Sequence, residues 1–137
     1  MGDLRVVEVE WEGGMRFRGG APDGPKALVD AGPTREGPGP MLMLLVACAG
    51  CAGADVVSIL EKAQVKLRKY HTEVRGTRAD EHPKRYTAMH FVFTLAGDGL
   101  DESKARRAID LSLTKYCSVV KSLAADLAVT YDLVLEP

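Results

Sequence analysis

The chain has 137 residues, with 18 Lys plus Arg against 19 Asp plus Glu and a formal net charge of -1. That length fits one domain with its own core, and the charge balance gives no basic excess for nucleic acid or an anionic membrane, which leaves a small molecule or a protein as partner. The opening Met1-Gly2-Asp3-Leu4-Arg5 has no basic flank leading into an apolar stretch, and the longest unbroken apolar run, Met41 to Ala49, is short for a bilayer, so a soluble cytoplasmic protein is expected.

In chain order, Leu4, Val6, Val7, Val9 and Trp11 alternate with charged residues, Glu12-Gly13-Gly14-Met15 breaks the run, and Arg16-Phe17-Arg18 resumes it, which predicts a hairpin. A strand over Lys26 to Asp30 follows a glycine and proline cluster and completes a β-meander over residues 1-38. Pro40 suits the first position of a helix, and apolar residues at helical spacing predict one long helix over 40-64. It is apolar nearly all round from Met41 to Leu60, the pattern of a buried central helix. A chain of this size supplies only one modest sheet to cover it, so burial at a subunit interface is expected.

Residues 69-137 read as hairpin, helices and strand. Lys69 to Ala79 and Arg85 to Ala96 alternate as strands around the turn Asp80-Glu81-His82-Pro83. Asp101 caps a helix carrying Ala105, Ala108, Ile109, Leu111 and Ser112, Cys117 lies where that helix ends or bends, Val119 to Asp126 forms a short helix, and Ala128 to Leu135 a last strand. The order predicts a single α+β domain with an antiparallel sheet, and disfavours a parallel βαβ arrangement.

Cysteine carries the chemistry. Cys48 and Cys51 share one helical turn amid Ala47, Ala49, Gly50, Ala52, Gly53 and Ala54, and the third, Cys117, is far along the chain. The small residues let a distant segment approach closely. With three cysteines and no secretory signal, a fixed disulfide framework is disfavoured and reversible thiol chemistry is permitted. A thioredoxin-type dithiol does not fit, because Cys51 lies roughly 16 Å into the helix at ~1.5 Å per residue, beyond the reach of the N-terminal dipole. A reactive Cys51 therefore needs a cationic partner, with Arg35, Arg16 and Arg18 as candidates. Zinc is disfavoured because His71, His82, His90 and Cys117 supply no second close pair. Asp55, on the thiol side of the helix, reads first as a structural hydrogen-bonding group across a dimer or to a strand amide. His82 reads as solvated, and His90 as a satisfied, half-buried strand histidine.

The stretch Gly39-Pro40-Met41-Leu42-Met43-Leu44-Leu45 through Ala49-Gly50-Cys51, then Gly53-Ala54-Asp55-Val56-Val57-Ser58-Ile59-Leu60, resembles the helix carrying the first cysteine in the OsmC/Ohr family. Glu81-His82-Pro83-Lys84, Arg107 to Ser112 and Lys115-Tyr116-Cys117-Ser118-Val119 resemble later family segments, and Trp11-Glu12-Gly13-Gly14 with Phe17 the opening hairpin. The resemblance implies an OsmC-like fold, an intertwined homodimer and a thiol-dependent hydroperoxide reductase in oxidative stress defence, without metal or other cofactor. It makes Cys51 the peroxidatic and Cys117 the resolving cysteine, the resulting disulfide being reduced by a small dithiol or a dithiol protein. A pocket of Met41, Leu44, Leu45, Phe91 and Phe93 would suit an organic hydroperoxide. Two positions depart from the family. Leu42 stands where a glutamate usually pairs with the catalytic arginine, leaving Arg35 as the best match for that cation, with Glu36 a substitute carboxylate and Arg16 and Arg18 as alternatives. Cys48 takes an apolar position, as core filler or as an alternative resolving thiol. A non-catalytic dimeric binding or stress-response protein is the other reading, favoured by Leu42.

Overall fold

The computed structural model describes residues 2–137. The chain forms two compact units divided inside the long helix, the first ending at Leu44 and the second running Leu45–Pro137.

The first unit is an antiparallel meander of β1 (Glu8–Trp11), β2 (Arg16–Gly20) and β3 (Ala27–Asp30). Its first turn needs backbone that glycine supplies, with Gly13 at φ 99° and Gly14 at φ 56°, and the Trp11 indole donates to the Gly14 carbonyl at 2.8 Å. Asp30 is buried and organises the loop that follows. Its carboxylate accepts from the Thr34 hydroxyl at 2.6 Å and from the Gly32 and Glu36 amides at 2.8 and 3.0 Å. These bonds, the Thr34 hydroxyl foremost, hold its pKa below the ordinary carboxylate value.

Helix α1 (Pro40–Lys62) opens on its proline as expected and closes two residues sooner than the sequence pattern predicts. Gln64 takes φ 62° while the Val65 amide reaches back to the Leu60 carbonyl at 3.0 Å, a left-handed helix stop. Cys48, Ala52, Val56 and Leu60, spaced by four, are buried together with Gly53. Within a single chain Leu42, Val46 and Val57 remain 53%, 57% and 41% exposed, the kind of apolar surface for which burial at a subunit interface is expected. The helix also has a mean hydropathy of 2.1 over its most apolar window, long and apolar enough by length and composition to cross a membrane. The unbroken run Met41–Ala49 understated this, because Cys51, Ala52, Ala54, Val56, Val57, Ile59 and Leu60 carry the apolar character onward past Gly50.

In the second unit β4 (Lys66–Arg78) and β5 (Tyr86–Asp98) pair antiparallel, and β6 (Ala128–Leu135) lies beside β5. The pairing of β5 with β6 is parallel, which corrects the antiparallel sheet expected from sequence. The intervening helices α2 (Glu102–Leu111) and α3 (Ser118–Lys121) act as a crossover connection, and a strand returning from a crossover enters in the same direction as the one before it. Strand β5 is central and buries Met89, Phe91, Phe93 and Leu95 on one face. Phe91 and Phe93 stack at 5.6 Å, and Tyr70 and Tyr131 meet Phe93 edge-on at 6.2 and 5.9 Å.

Helix α2 starts at Asp101, whose carboxylate caps the Lys104 amide at 2.8 Å. It passes directly into a π-helical turn, Ser112–Tyr116, closed by the Cys117 amide on the Ser112 carbonyl at 2.7 Å. The following helix is shorter than the Val119 to Asp126 segment expected, because the chain leaves it through successive turns at Leu123 and Leu127.

Close approach between α1 and the sheet depends on glycine. A Cβ on Gly76 would stand 2.5 Å from Tyr86 Cε1 and 3.0 Å from Leu45 Cδ2. Gly76→Ala is therefore expected to lower stability by about 1–3 kcal/mol through overpacking. Urea unfolding checks this, and an unchanged midpoint would contradict the packing described.

Candidate functional site

A helix places residues four apart on the same side, so Cys51 and Asp55 present a thiol and a carboxylate one above the other. The π turn delivers the third member. Its extra residue per turn lets the chain break at Cys117, which has φ -71° and ψ 97° and lies between two helical segments with its side chain fully buried. Cys51 Sγ, Cys117 Sγ and a carboxylate oxygen of Asp55 all lie within 4.8 Å of one another. All three cysteines are free thiols. The structure thus brings together the two thiols singled out from sequence.

Ser112 ties the arrangement. Its hydroxyl donates to Asp55 Oδ2 at 2.9 Å, while its carbonyl accepts the Cys117 amide. Asp55, expected to bond across a dimer or to a strand amide, bonds within its own chain a side chain at the end of α2, because its turn of α1 faces the π turn. Ser112 was visible in the sequence only as one member of a helical pattern, and its role follows from the turn that no sequence signal announces. Tyr70 was missed likewise. From β4 its ring covers Gly53, where a Cβ would meet the ring and the hydroxyl at 3.2 Å, and its buried Oη has the Thr72 hydroxyl as its neighbour. Burial pushes the Tyr70 hydroxyl pKa up, the Thr72 hydroxyl beside it acts the other way, and the charges of Cys117 and Asp55 push it further up.

Cys48 is buried one turn earlier on α1, and burial followed by the Cys51 charge raises its pKa. Burial also raises Cys117, to about 11, with the neighbouring Cys51 thiol and the Asp55 charge acting the same way against a backbone bond from Val120. A buried, protonated Cys117 is poorly disposed to initiate chemistry. The half-exposed Cys51 is the accessible member of the pair.

Beside the thiols, Asp55, Ser58, Ile59, Lys62, Arg107 and Tyr116 line a cleft of about 590 Å³ that also reaches Ala63 and Leu111. Neither phenylalanine expected in an apolar pocket lines it. Phe91 and Phe93 are fully buried in the core and have no free face to offer, whereas the cleft has two cations and a carboxylate in its wall.

The candidate cations belong to the first unit. Arg16 meets Glu36 at 3.4 Å and Arg18 meets Glu12 at 2.9 Å. Arg35 is exposed in the loop before α1 at φ 50° and makes no hydrogen bond or ion pair among the described residues. Glu36 is thus the companion of Arg16 and not of Arg35. His82 is exposed, and His90 meets Thr130 Oγ1 at 2.7 Å and Asp132 Oδ2 at 3.0 Å, as a satisfied strand histidine should.

A long helix bearing a thiol, packed on a sheet and met by a second thiol from a later helical break, defines a fold with known counterparts. The family model for OsmC-like protein matches residues 32–132. Protein YhfA of Escherichia coli (strain K12) is 34% identical over 125 residues, covering 91% of this chain and 93% of YhfA. The crystal structure of an OsmC like protein from Mycoplasma pneumoniae superposes with a TM-score of 0.85 over 100% of both chains at 17% identity. The organic hydroperoxide resistance protein OhrB of Bacillus subtilis has the same fold at a TM-score of 0.63 and 16% identity, over 96% of this chain and 99% of its own. The chain belongs to the OsmC-like protein family.

The raised pKa of Cys117 has a measurable consequence. The native fold favours the neutral thiol, so its contribution to stability is complete below the ordinary thiol pKa and is lost as pH rises toward about 11. The urea midpoint should fall between pH 9 and pH 11, and fall less in Cys117→Ala. Equal slopes in the two proteins would show that the thiol is not held protonated by the fold.

Proposed function

We propose that the protein is a thiol-dependent peroxidase that reduces organic hydroperoxides, with Cys51 as the peroxidatic and Cys117 as the resolving cysteine. The observation that carries this reading is the placement of both sulfurs within 4.8 Å of one another and of Asp55, one partly exposed and the other buried. Cys51 thiolate attacks a peroxide oxygen, the O–O bond breaks, and the alcohol leaves as Cys51 becomes a sulfenic acid. The Cys117 sulfur then displaces that hydroxyl as water, its own thiol proton being lost, and forms a disulfide. A small dithiol or a dithiol protein returns the pair to thiols. Membership of the OsmC-like family supports the assignment, as does a shared fold with proteins titled organic hydroperoxide resistance proteins.

Arg35 is the guanidinium we assign to stabilising the Cys51 thiolate, its side chain having no carboxylate partner among the described residues. The exposed Leu42, Val46 and Val57 of α1 support a homodimer in which a second copy covers that side. Cytoplasmic oxidative stress defence is the setting this chemistry fits.

A second reading rests on Leu42 and Asp55. Leucine replaces the family glutamate, and Asp55 places a carboxylate, not a cation, beside the two sulfurs, which suits a non-catalytic dimeric binding or stress protein. One experiment separates the two. Reduced protein treated with one equivalent of cumene hydroperoxide should form a Cys51–Cys117 disulfide by peptide mapping. Cys117→Ser should stop at a Cys51 sulfenic acid trapped by dimedone, and Arg35→Ala should slow the first step by about tenfold or more, the usual weight of one electrostatic catalytic group. Thiols left unreacted in the wild type would support the binding protein. Faster reaction with hydrogen peroxide than with the organic peroxide would reject the substrate class.

A further inference from the structure

The peroxidase reading uses the two sulfurs and leaves Asp55 unexplained. Two thiols and a carboxylate oxygen within 4.8 Å of one another also form a set of metal ligands. We propose that the reduced protein binds one thiophilic divalent cation of the zinc type through Cys51 Sγ, Cys117 Sγ and a carboxylate oxygen of Asp55.

Donor chemistry selects the ion. Two sulfurs and one oxygen suit a borderline-soft cation that accepts mixed sulfur and oxygen ligands in four-coordination, whereas magnesium and calcium demand more oxygens than the site holds. The sequence pattern argued against zinc for want of a second cysteine or histidine pair. The carboxylate four residues after Cys51 on the same side of α1 fills that gap, and Cys117 comes from a separate segment.

The surroundings are those of a built site. Ser112 Oγ donates to Asp55 Oδ2 at 2.9 Å and so orients the carboxylate, which is the task of an outer-shell partner. Asp55 also lines the 590 Å³ cleft, which provides a way in from solvent.

Binding displaces the two thiol protons to solvent and moves no electrons. Zinc and the disulfide are mutually exclusive, since each requires the same two sulfurs. The proposal does not depend on peroxidase activity, because a non-catalytic protein with reduced thiols would bind the ion equally.

Cobalt(II) serves as the spectroscopic probe in an anaerobic titration of the full chain reduced with a phosphine. One equivalent should produce thiolate-to-cobalt charge-transfer absorption and the visible bands of a four-coordinate ion, and one equivalent of zinc, but not excess magnesium, should abolish them. Cys51→Ser and Cys117→Ser should each weaken binding, Asp55→Asn by about tenfold or more, and Cys48→Ser should leave it unchanged. A measurement on the unaltered protein guards against misfolded variants: zinc should protect Cys51 and Cys117, and not Cys48, from N-ethylmaleimide as read by peptide mapping. Absence of charge-transfer bands in the reduced wild type, equal binding by Cys117→Ser, or alkylation indifferent to zinc would each overturn the site.

Discussion

The geometry of the site hangs on one side chain at the end of α2. Ser112 is fully buried, sends its hydroxyl to Asp55 on α1, and takes the amide of Cys117 on its carbonyl. Through these two bonds a residue late in the chain fixes the separation between sulfurs 66 positions apart in sequence. Leaving either partner of a buried polar pair unsatisfied costs about 1–3 kcal/mol, so the cluster is held by the same physics that holds the core.

The approach of α1 to the sheet makes that bond reachable. Large side chains on the packed face would push the helix outward, whereas Ala52 and Gly53 bring its backbone close to Tyr70, and Gly76 accepts the ring of Tyr86 from the strand side. Cys48 extends the same buried stripe, which gives it a packing role whatever its redox behaviour. The contrast between the thiols follows. Cys117 sits where burial keeps its proton on, and Cys51 keeps partial access to solvent, so the pair is unequal before any reaction begins. A carboxylate beside it adds negative charge, which either a guanidinium or a bound cation would offset.

Much of this was legible in the sequence. Pro40 opened the long helix, Asp101 capped the second, and Ala128 to Leu135 alternated as the strand it forms, because local signals of capping and period two act within a few residues. The union of Cys51 with Cys117 came from resemblance to a family and not from spacing, since nothing local tells one end of a chain where another will pack. What escaped were features decided by tertiary context. Strand β6 turned out parallel because its direction depends on the crossover, the π turn at Ser112–Tyr116 has no propensity signature, and Phe91 and Phe93 alternate like pocket residues yet face the core. Asp55 could be seen as a polar residue in an apolar helix, but its partner could be known only once α2 was in place.

The most direct test asks which sulfurs the fold places in bonding reach. Equilibrating the unaltered protein in a glutathione redox buffer and mapping the peptides should give a Cys51–Cys117 disulfide as the main product, with Cys48 left as a thiol. A Cys48–Cys51 disulfide, or mixed disulfides with glutathione alone, would contradict the account.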